Sequence, residues 1–309
     1  MDVLQAAIAV LATISMFVFS LKGFSNELQI WGANRLKIWL GKITKTRFGG
    51  FLFGVILTAL VQSSSVVTSI ATAFVDAGVI SFEQSLAILV GSNLGTTFTA
   101  WLVAFNITGM GSVLLVLGTL LGWLPFRIHL AGKSIFYLGL ILFSLNLINS
   151  SLIPLKESPL MVHILEYSTN PWLGVLSGII LTAMIQSSSA VTGLAIVLAA
   201  QQIIPFSAAL YLIVGCNVGT TSTALLASLK LNSAAKKTAR ANFIFNAAGL
   251  LFFLPILPIL SHKIQELSIS IGAQVALAHL FFNLTVALLV LPILPWVAKK
   301  WTSESTSIQ

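Results

Sequence analysis

Charge is the scarcest commodity in these 309 residues: Asp, Glu, Lys and Arg together make up 8% of them. Residues 167–229 contain none of the four, and no histidine either. With 57% hydrophobic residues, the composition excludes a water-soluble domain of this length. Cysteine is nearly absent, and the single Cys216 excludes an intrachain disulfide and a cysteine-ligated metal centre. No Gly-x-x-x-x-Gly-Lys loop, no His-Glu-x-x-His and no Ser/His/Asp set in a suitable context occurs. An enzyme and an organic cofactor therefore have nothing to rest on. The net charge of +8 does not point to nucleic acid, because the basic residues sit in short loops. There they read as topology signals and as contacts with anionic lipid headgroups.

What the chain has is long apolar runs, several approaching the ~20 residues that span a bilayer. The pattern predicts an all-α, multi-pass membrane protein in which the lipid bilayer is the main solvent. The first run, 3–21, follows Asp2 rather than a basic segment and reads as a retained helix. Residues 22–47 carry six basic residues against Glu27, and apolar positions alternate with Lys37, Lys42 and Lys45. That predicts a basic helix lying in the interface. Further crossings are expected at about 111–124, 134–149, 238–260 and 273–298.

The chain also repeats itself. Residues 54–68 lie over 178–192 at an offset of 124, and 12 of the 19 positions from Gly54 to Thr72 are identical in the copy. Gln62-Ser63-Ser64-Ser65 recurs as Gln186-Ser187-Ser188-Ser189. With no gap, Gly91-Ser-Asn-Leu-Gly-Thr-Thr97 recurs as Gly215-Cys-Asn-Val-Gly-Thr-Thr221. This is an internal duplication, with repeat 1 at about 14–105 and repeat 2 at about 138–229, in a single transmembrane domain. Each Gln-Ser-Ser-Ser sits between two apolar halves, too short to span alone, which predicts a re-entrant hairpin. The second motif interrupts a full-length run with two glycines, which predicts a broken transmembrane helix.

Loop charges set the orientation of the copies. The segment before the first hairpin, 22–47, has a net charge of +5, whereas its counterpart, 150–171, has −1. By the positive-inside rule the two lie on opposite faces, so the repeats are inverted. Counting each hairpin as no crossing gives seven crossings, an outside N-terminus and a cytoplasmic C-terminus.

The polar corners decide the chemistry. A serine run before the second half-helix caps it and aims free N–H groups and the positive dipole end into a cavity, where an oxyanion can bind. Two such ends, from Gln62 to Ser65 and from Gln186 to Ser189, suit a tetrahedral oxyanion. Hydroxyl and amide oxygens also suit a small hard cation. Asn93, Thr96 and Thr97, with Asn217, Thr220 and Thr221, are candidates to add such oxygens. A lone Ser-Ser-Ser reads equally well as small-residue packing; two duplicated motifs in inverted copies do not. Asn246 and Asn283 either line the cavity or pack, and His279 reads as a buried bundle residue. Asp76 and Glu83 have Ala200 and Ser207 at the equivalent positions, which argues against a cation role.

The paired Gln-Ser-Ser-Ser hairpins, each followed by Gly-x-Asn-x-Gly-Thr-Thr, resemble the type II sodium–phosphate cotransporters. The resemblance runs from about residue 14 to 291. It implies alternating-access symport of inorganic phosphate with Na⁺ as the coupling ion. It implies that the two tetrapeptides form the substrate and cation site, with Thr68 and Thr192 just behind them. Many bacterial members carry a further domain resembling a phosphate-uptake regulator, which the sequence to Gln309 does not include. The short form implies a bacterial inner membrane. A phosphate exporter or channel, and a non-transporting membrane subunit, remain as alternatives, and a homo-oligomer is left open.

Overall fold

The structure, a computed structural model, describes residues 3–43, 46–105, 110–124, 128–152 and 169–303. Among them are twelve α-helices and no strand. They are α1 (Val3–Ile43), α2 (Arg47–Val61), α3 (Ser64–Asp76), α4 (Phe82–Ala104), α5 (Met110–Gly122) and α6 (Ile128–Leu152). After them come α7 (Pro171–Ile185), α8 (Ser188–Ala200), α9 (Phe206–Ser228), α10 (Ser233–Phe253), α11 (Leu257–Gln265) and α12 (Ile271–Ser303). Every boundary of α2, α3 and α4 recurs 124 residues later in α7, α8 and α9. Most of the linker expected at 150–171 lies outside the described residues.

Five helices carry a stretch long and apolar enough to cross a bilayer: Ile8–Glu27, Phe82–Ala104, Ala131–Ile148, Phe206–Ser228 and Ile271–Trp301. A sixth crossing arises if α10 and α11 count as one. The protein is therefore multi-pass. Of the seven expected crossings, α5 falls short by length. Its 13 residues span about 20 Å, below the ~30 Å of a hydrocarbon core. Leu124 precedes Pro125, which disfavours continuing the helix.

The half-length segments fold back as expected. Helix α2 has 15 residues and α3 has 13, about 22 and 20 Å long. Gln62 ends α2 in the left-handed region at φ 55°, and Ser63 then starts α3, its hydroxyl accepting from the Val66 N–H at 3.4 Å. The copy repeats this turn, with Gln186 at φ 56° and Ser187 accepting from Ala190 N–H at 3.3 Å.

Three expectations are corrected. First, α4 and α9 run unbroken through Gly-x-Asn-x-Gly-Thr-Thr. The glycines serve close approach rather than a break: a Cβ on Gly91 would meet the Phe51 carbonyl, and one on Gly215 the Val175 carbonyl. The threonines bond carbonyls of their own helices, Thr96 to Ser92 O at 3.1 Å and Thr220 to Cys216 O at 2.8 Å. No unwinding is needed to satisfy them. Second, the crossing expected at 238–260 bends by 69° between α10 and α11. Pro255 lies in the break and Pro258 in the first turn of α11, where a missing N–H is tolerated. Third, the basic segment after Lys22 is not a separate helix, since α1 continues unbroken to Ile43.

Close contacts fix the helix directions. Gly50 and Gly54 of α2 face Ala87 and Ile88 of α4, and Gly95 faces Val55, so α2 and α4 run parallel. In α5 and α6, Gly111 meets Phe143 and Gly118 meets Phe136, so that pair is antiparallel. The tip of the first hairpin reaches Thr99 near the end of α4, and its mouth leads into Phe82 at the start. Helix α3 therefore runs opposite to α4. Helix α8 runs with α4: Ser189 meets Thr99, and four residues on, Gly193 meets Val103. The two hairpins thus enter from opposite faces, and their tips meet at the level of Thr99.

Basic residues gather at the mouth of the first hairpin. Asp76 accepts from the Asn232 backbone N–H at 2.7 Å, which docks the start of α10 with its Lys236, Lys237 and Arg240. Phe82 stacks on Trp301 with ring centroids 6.0 Å apart, which docks the end of α12 with Lys299 and Lys300. We call this the basic face.

Adding a Cβ at Gly91 or Gly215 drives it into the backbone of the parallel half-helix. Gly91→Ala and Gly215→Ala should each destabilise the protein by about 1–3 kcal/mol. Thermal unfolding of detergent-purified protein measures this, and unchanged midpoints would refute the close α2–α4 and α7–α9 packing.

Candidate functional site

The tips are built against local backbone preference. A non-glycine residue in the left-handed region costs on the order of 1–3 kcal/mol and persists only when its surroundings require it. Glycine would relieve the turn at residues 62 and 186, yet both positions hold glutamine, so the turn is kept with a long amide side chain. Each tip also brings the carbonyl end of one half-helix against the N–H end of the next. The N–H groups of Ser64 and Ser65 precede the first intrahelical bond of α3, which Val67 makes to Ser63 O. A tip therefore presents partial negative and partial positive charge side by side.

The two tips share one cavity of about 390 Å³. That is the volume of on the order of a dozen waters. Gln62, Ser63 and Ser65 line it from the first hairpin, and Gln186 and Ser187 from the second. Thr223 of α9 adds a hydroxyl, and Ser69 lies on the α3 wall. Helix α1 completes the wall with Leu21, Lys22, Ser25 and Asn26.

The cavity is shut on one side only. Thr99 donates to Gln62 Oε1 at 2.8 Å and accepts from the Ser189 hydroxyl at 3.4 Å, so one threonine joins the two motif copies. The Gln62 amide nitrogen donates to the Ala59 carbonyl, so the buried side chain is bonded through both its oxygen and its nitrogen. Above this bridge, Phe17 is wholly buried against Gly193. The equivalent residues of the other copy are Ser65, Thr223 and Gln186. There the Thr223 oxygen is shielded from solvent without a hydrogen-bond partner, and Gln186 is exposed. Identical side chains in inverted copies are bonded in one and released in the other. The released side faces the mouth of the first hairpin, where α1 carries Lys22 and Asn26 past Ser69 and Ile70.

The remaining sequence-predicted residues lie outside the cavity lining. Ser64 and Ser188 are buried in the first turns of α3 and α8. Ser189 is buried in the bridge. Thr68 donates to Ser65 O at 3.0 Å, directly behind the first tip. Thr192 is buried behind the second tip, beside the Cys216 thiol. Thr97 and Thr221 bond to carbonyls of their own helices at 2.7 Å. Asn93 donates to Asn246 at 3.0 Å and Asn217 to Asn283 at 2.8 Å. These two pairs clamp α4 to α10 and α9 to α12, and the amide nitrogen of Asn283 donates to His279 O at 3.0 Å. His279 is wholly buried within the clamp.

Sequence reasoning missed Thr99 and Thr223, although the signal was available. They lie two residues beyond each Gly-x-Asn-x-Gly-Thr-Thr and share its 124-residue offset.

A family model for the Na⁺/Pi-cotransporter matches the chain twice, over residues 16–150 and 149–286. The chain belongs to the Na⁺/Pi-cotransporter family. This family is one of membrane transport proteins. Among its relatives is YqeW of Bacillus subtilis (strain 168), an uncharacterised protein that is 34% identical over 221 residues, covering 71% of this chain and 72% of the relative. A candidate inorganic phosphate export protein of Escherichia coli (strain K12), YjbB, is 30% identical over 245 residues, covering 78% of this chain and 45% of the relative. The sodium-dependent phosphate transport protein 2A of Mus musculus is 33% identical over 109 residues, covering 32% of this chain and 16% of its own length. This cotransporter-family chain thus spans less than half of the last two relatives. No solved structure matches it.

The unequal bonding of the two threonines gives a direct test. Thr99→Val leaves the buried Gln62 oxygen without its donor, while Thr223→Val removes a hydroxyl that has no partner. Thr99→Val should lower stability by about 1 kcal/mol more than Thr223→Val. The difference is read as the gap between their thermal midpoints, and equal midpoints would contradict the one-sided bridge.

Proposed function

We propose that this protein is a secondary transporter that moves inorganic phosphate together with Na⁺ by alternating access. The observation that carries the reading is the shared cavity, lined by both Gln-Ser-Ser-Ser tips, bridged shut toward one face and open toward the other. Serine hydroxyls, the Gln186 amide and the free N–H groups at the starts of α3 and α8 hold the oxyanion without a fixed positive charge beside it. Carbonyl ends of α2 and α7, with the hydroxyls of Thr68 and Thr192, supply oxygens for sodium. Asn93, Thr96 and Thr97, with Asn217, Thr220 and Thr221, support these positions from the neighbouring helices. Sodium offsets the phosphate charge at membrane depth, where an uncompensated ion is costly. Exchange of the bridge from Ser189–Thr99–Gln62 to Ser65–Thr223–Gln186 would open the opposite face, which is the two-state element that alternating access requires.

By the positive-inside rule the basic face is cytoplasmic, in a bacterial inner membrane, and the end of α12 lies there. A second reading, phosphate export, is favoured by one observation: the cavity opens on this basic face. The name of the E. coli relative agrees with it.

Radiolabelled phosphate flux in proteoliposomes tests both. Symport predicts that an inward Na⁺ gradient accelerates uptake, while export predicts flux out of phosphate-loaded vesicles that no Na⁺ gradient alters. The Gln186 side chain makes no hydrogen bond among the described residues, so Gln186→Ala should leave stability unchanged. It should cut flux by about tenfold, the loss of one hydrogen bond of about 1.4 kcal/mol. Wild-type flux in that variant would sink the site assignment.

A further inference from the structure

We propose that Lys22 captures the oxyanion for this cavity, and does so only for substrate arriving from the basic face. The inference rests on the transport reading above and concerns a residue that lies outside both motifs. Among the described residues, Lys22 is the only ionisable one in the cavity lining, whose other members are neutral polar or aliphatic. Its side chain is exposed and makes no ion pair among the described residues. It sits on α1 five residues past Phe17, so it lies on the open side of the bridge, opposite Ser69 and Ile70.

Among the described residues, the opposite face offers nothing comparable. A second cavity of about 470 Å³ lies there, beyond the bridge, between the ends of α4 and α8 and the start of α12. Its lining among the described residues, which includes Val103, Ala200, Gln201 and Ser270, contains no ionisable residue. The position equivalent to Lys22 in the second copy is Asn146. The duplication has therefore kept the binding tips alike and made the approaches different. An unpaired cation at the mouth of a low-dielectric cleft focuses its field outward and raises the local concentration of anions. Because Lys22 is exposed, that attraction is screened by salt within about 10 Å at 0.1 M. Placed at the mouth rather than between the tips, it speeds arrival without holding the ion at the site of translocation.

The test is sided phosphate flux in proteoliposomes whose orientation is fixed by protease access to a C-terminal tag. Wild type, Lys22→Gln and Lys22→Arg are compared at low and high ionic strength. Lys22→Gln should raise KM for phosphate from the basic face by about tenfold at low salt. It should leave kcat, and KM from the other face, unchanged. Lys22→Arg should restore KM, and high salt should erase the difference between wild type and Lys22→Gln. Equal KM values in Lys22→Gln and wild type from the basic face overturn the proposal. So does a loss from both faces accompanied by a lowered thermal midpoint, which marks a structural role. Absence of any wild-type phosphate flux overturns the transport reading and this proposal together, whereas normal flux indifferent to Lys22 overturns this proposal alone.

Discussion

Backbone N–H and C=O groups at membrane depth have no water to turn to and must find partners inside the protein. A helix that stops halfway exposes several of them at once. Among the described residues, four such ends meet at the hairpin tips, those of α2, α3, α7 and α8, and the other described helices pack around them. Helices α4 and α9 run alongside at backbone contact distance, made close by Gly91, Gly95, Gly215 and Gly219. Serine hydroxyls cap the starts, and glutamines in the left-handed region close the ends. Helix α10 holds α4, and α12 holds α9, each through a pair of asparagines. The N–H groups that precede the first intrahelical bonds of α3 and α8 lie at the tips that border the shared cavity.

Much of this was legible in the sequence because it follows from composition and period. The shortage of charge, the half-length apolar runs and the 124-residue offset give helices, hairpins and duplication directly. The opposite charge of the flanking loops gives inversion, and the contacts of Thr99 with Ser189 and of Val103 with Gly193 agree with it. Two of the three corrected expectations came from glycine and proline. Two glycines beside Asn and Thr read as a broken helix, since sequence alone does not say whether glycine is present for backbone freedom or for proximity. Pro255 and Pro258 were visible, yet the apolar run around them masked the bend between α10 and α11.

The difference between the two threonines could not have been read at all. Thr99 and Thr223 occupy equivalent positions beside identical tetrapeptides, so any account based on residue type assigns them the same state. Their bonding differs because Gln62 closes onto Thr99 while its counterpart Gln186 stays exposed and leaves Thr223 without a partner. Symmetry in sequence therefore accompanies asymmetry in structure, and the sequence itself departs from symmetry at positions such as Lys22 against Asn146.

The matched boundaries of the two hairpin units carry a constraint on how the gene can change. Each inserted residue in a half-helix moves its tip by about 1.5 Å and turns it by about 100°. An insertion in α2 alone would lift Gln62 away from Thr99 and rotate it off the cavity, while the tip from the other face stayed in place. Neither copy can compensate for the other, because they approach from opposite directions and the error in their meeting depth is not shared. Substitutions have accumulated freely between the copies, but length has not drifted by a single residue across α2 to α4 and α7 to α9. The pair behaves like two calipers set to one gauge, in which the composition of each arm is negotiable and its reach is not.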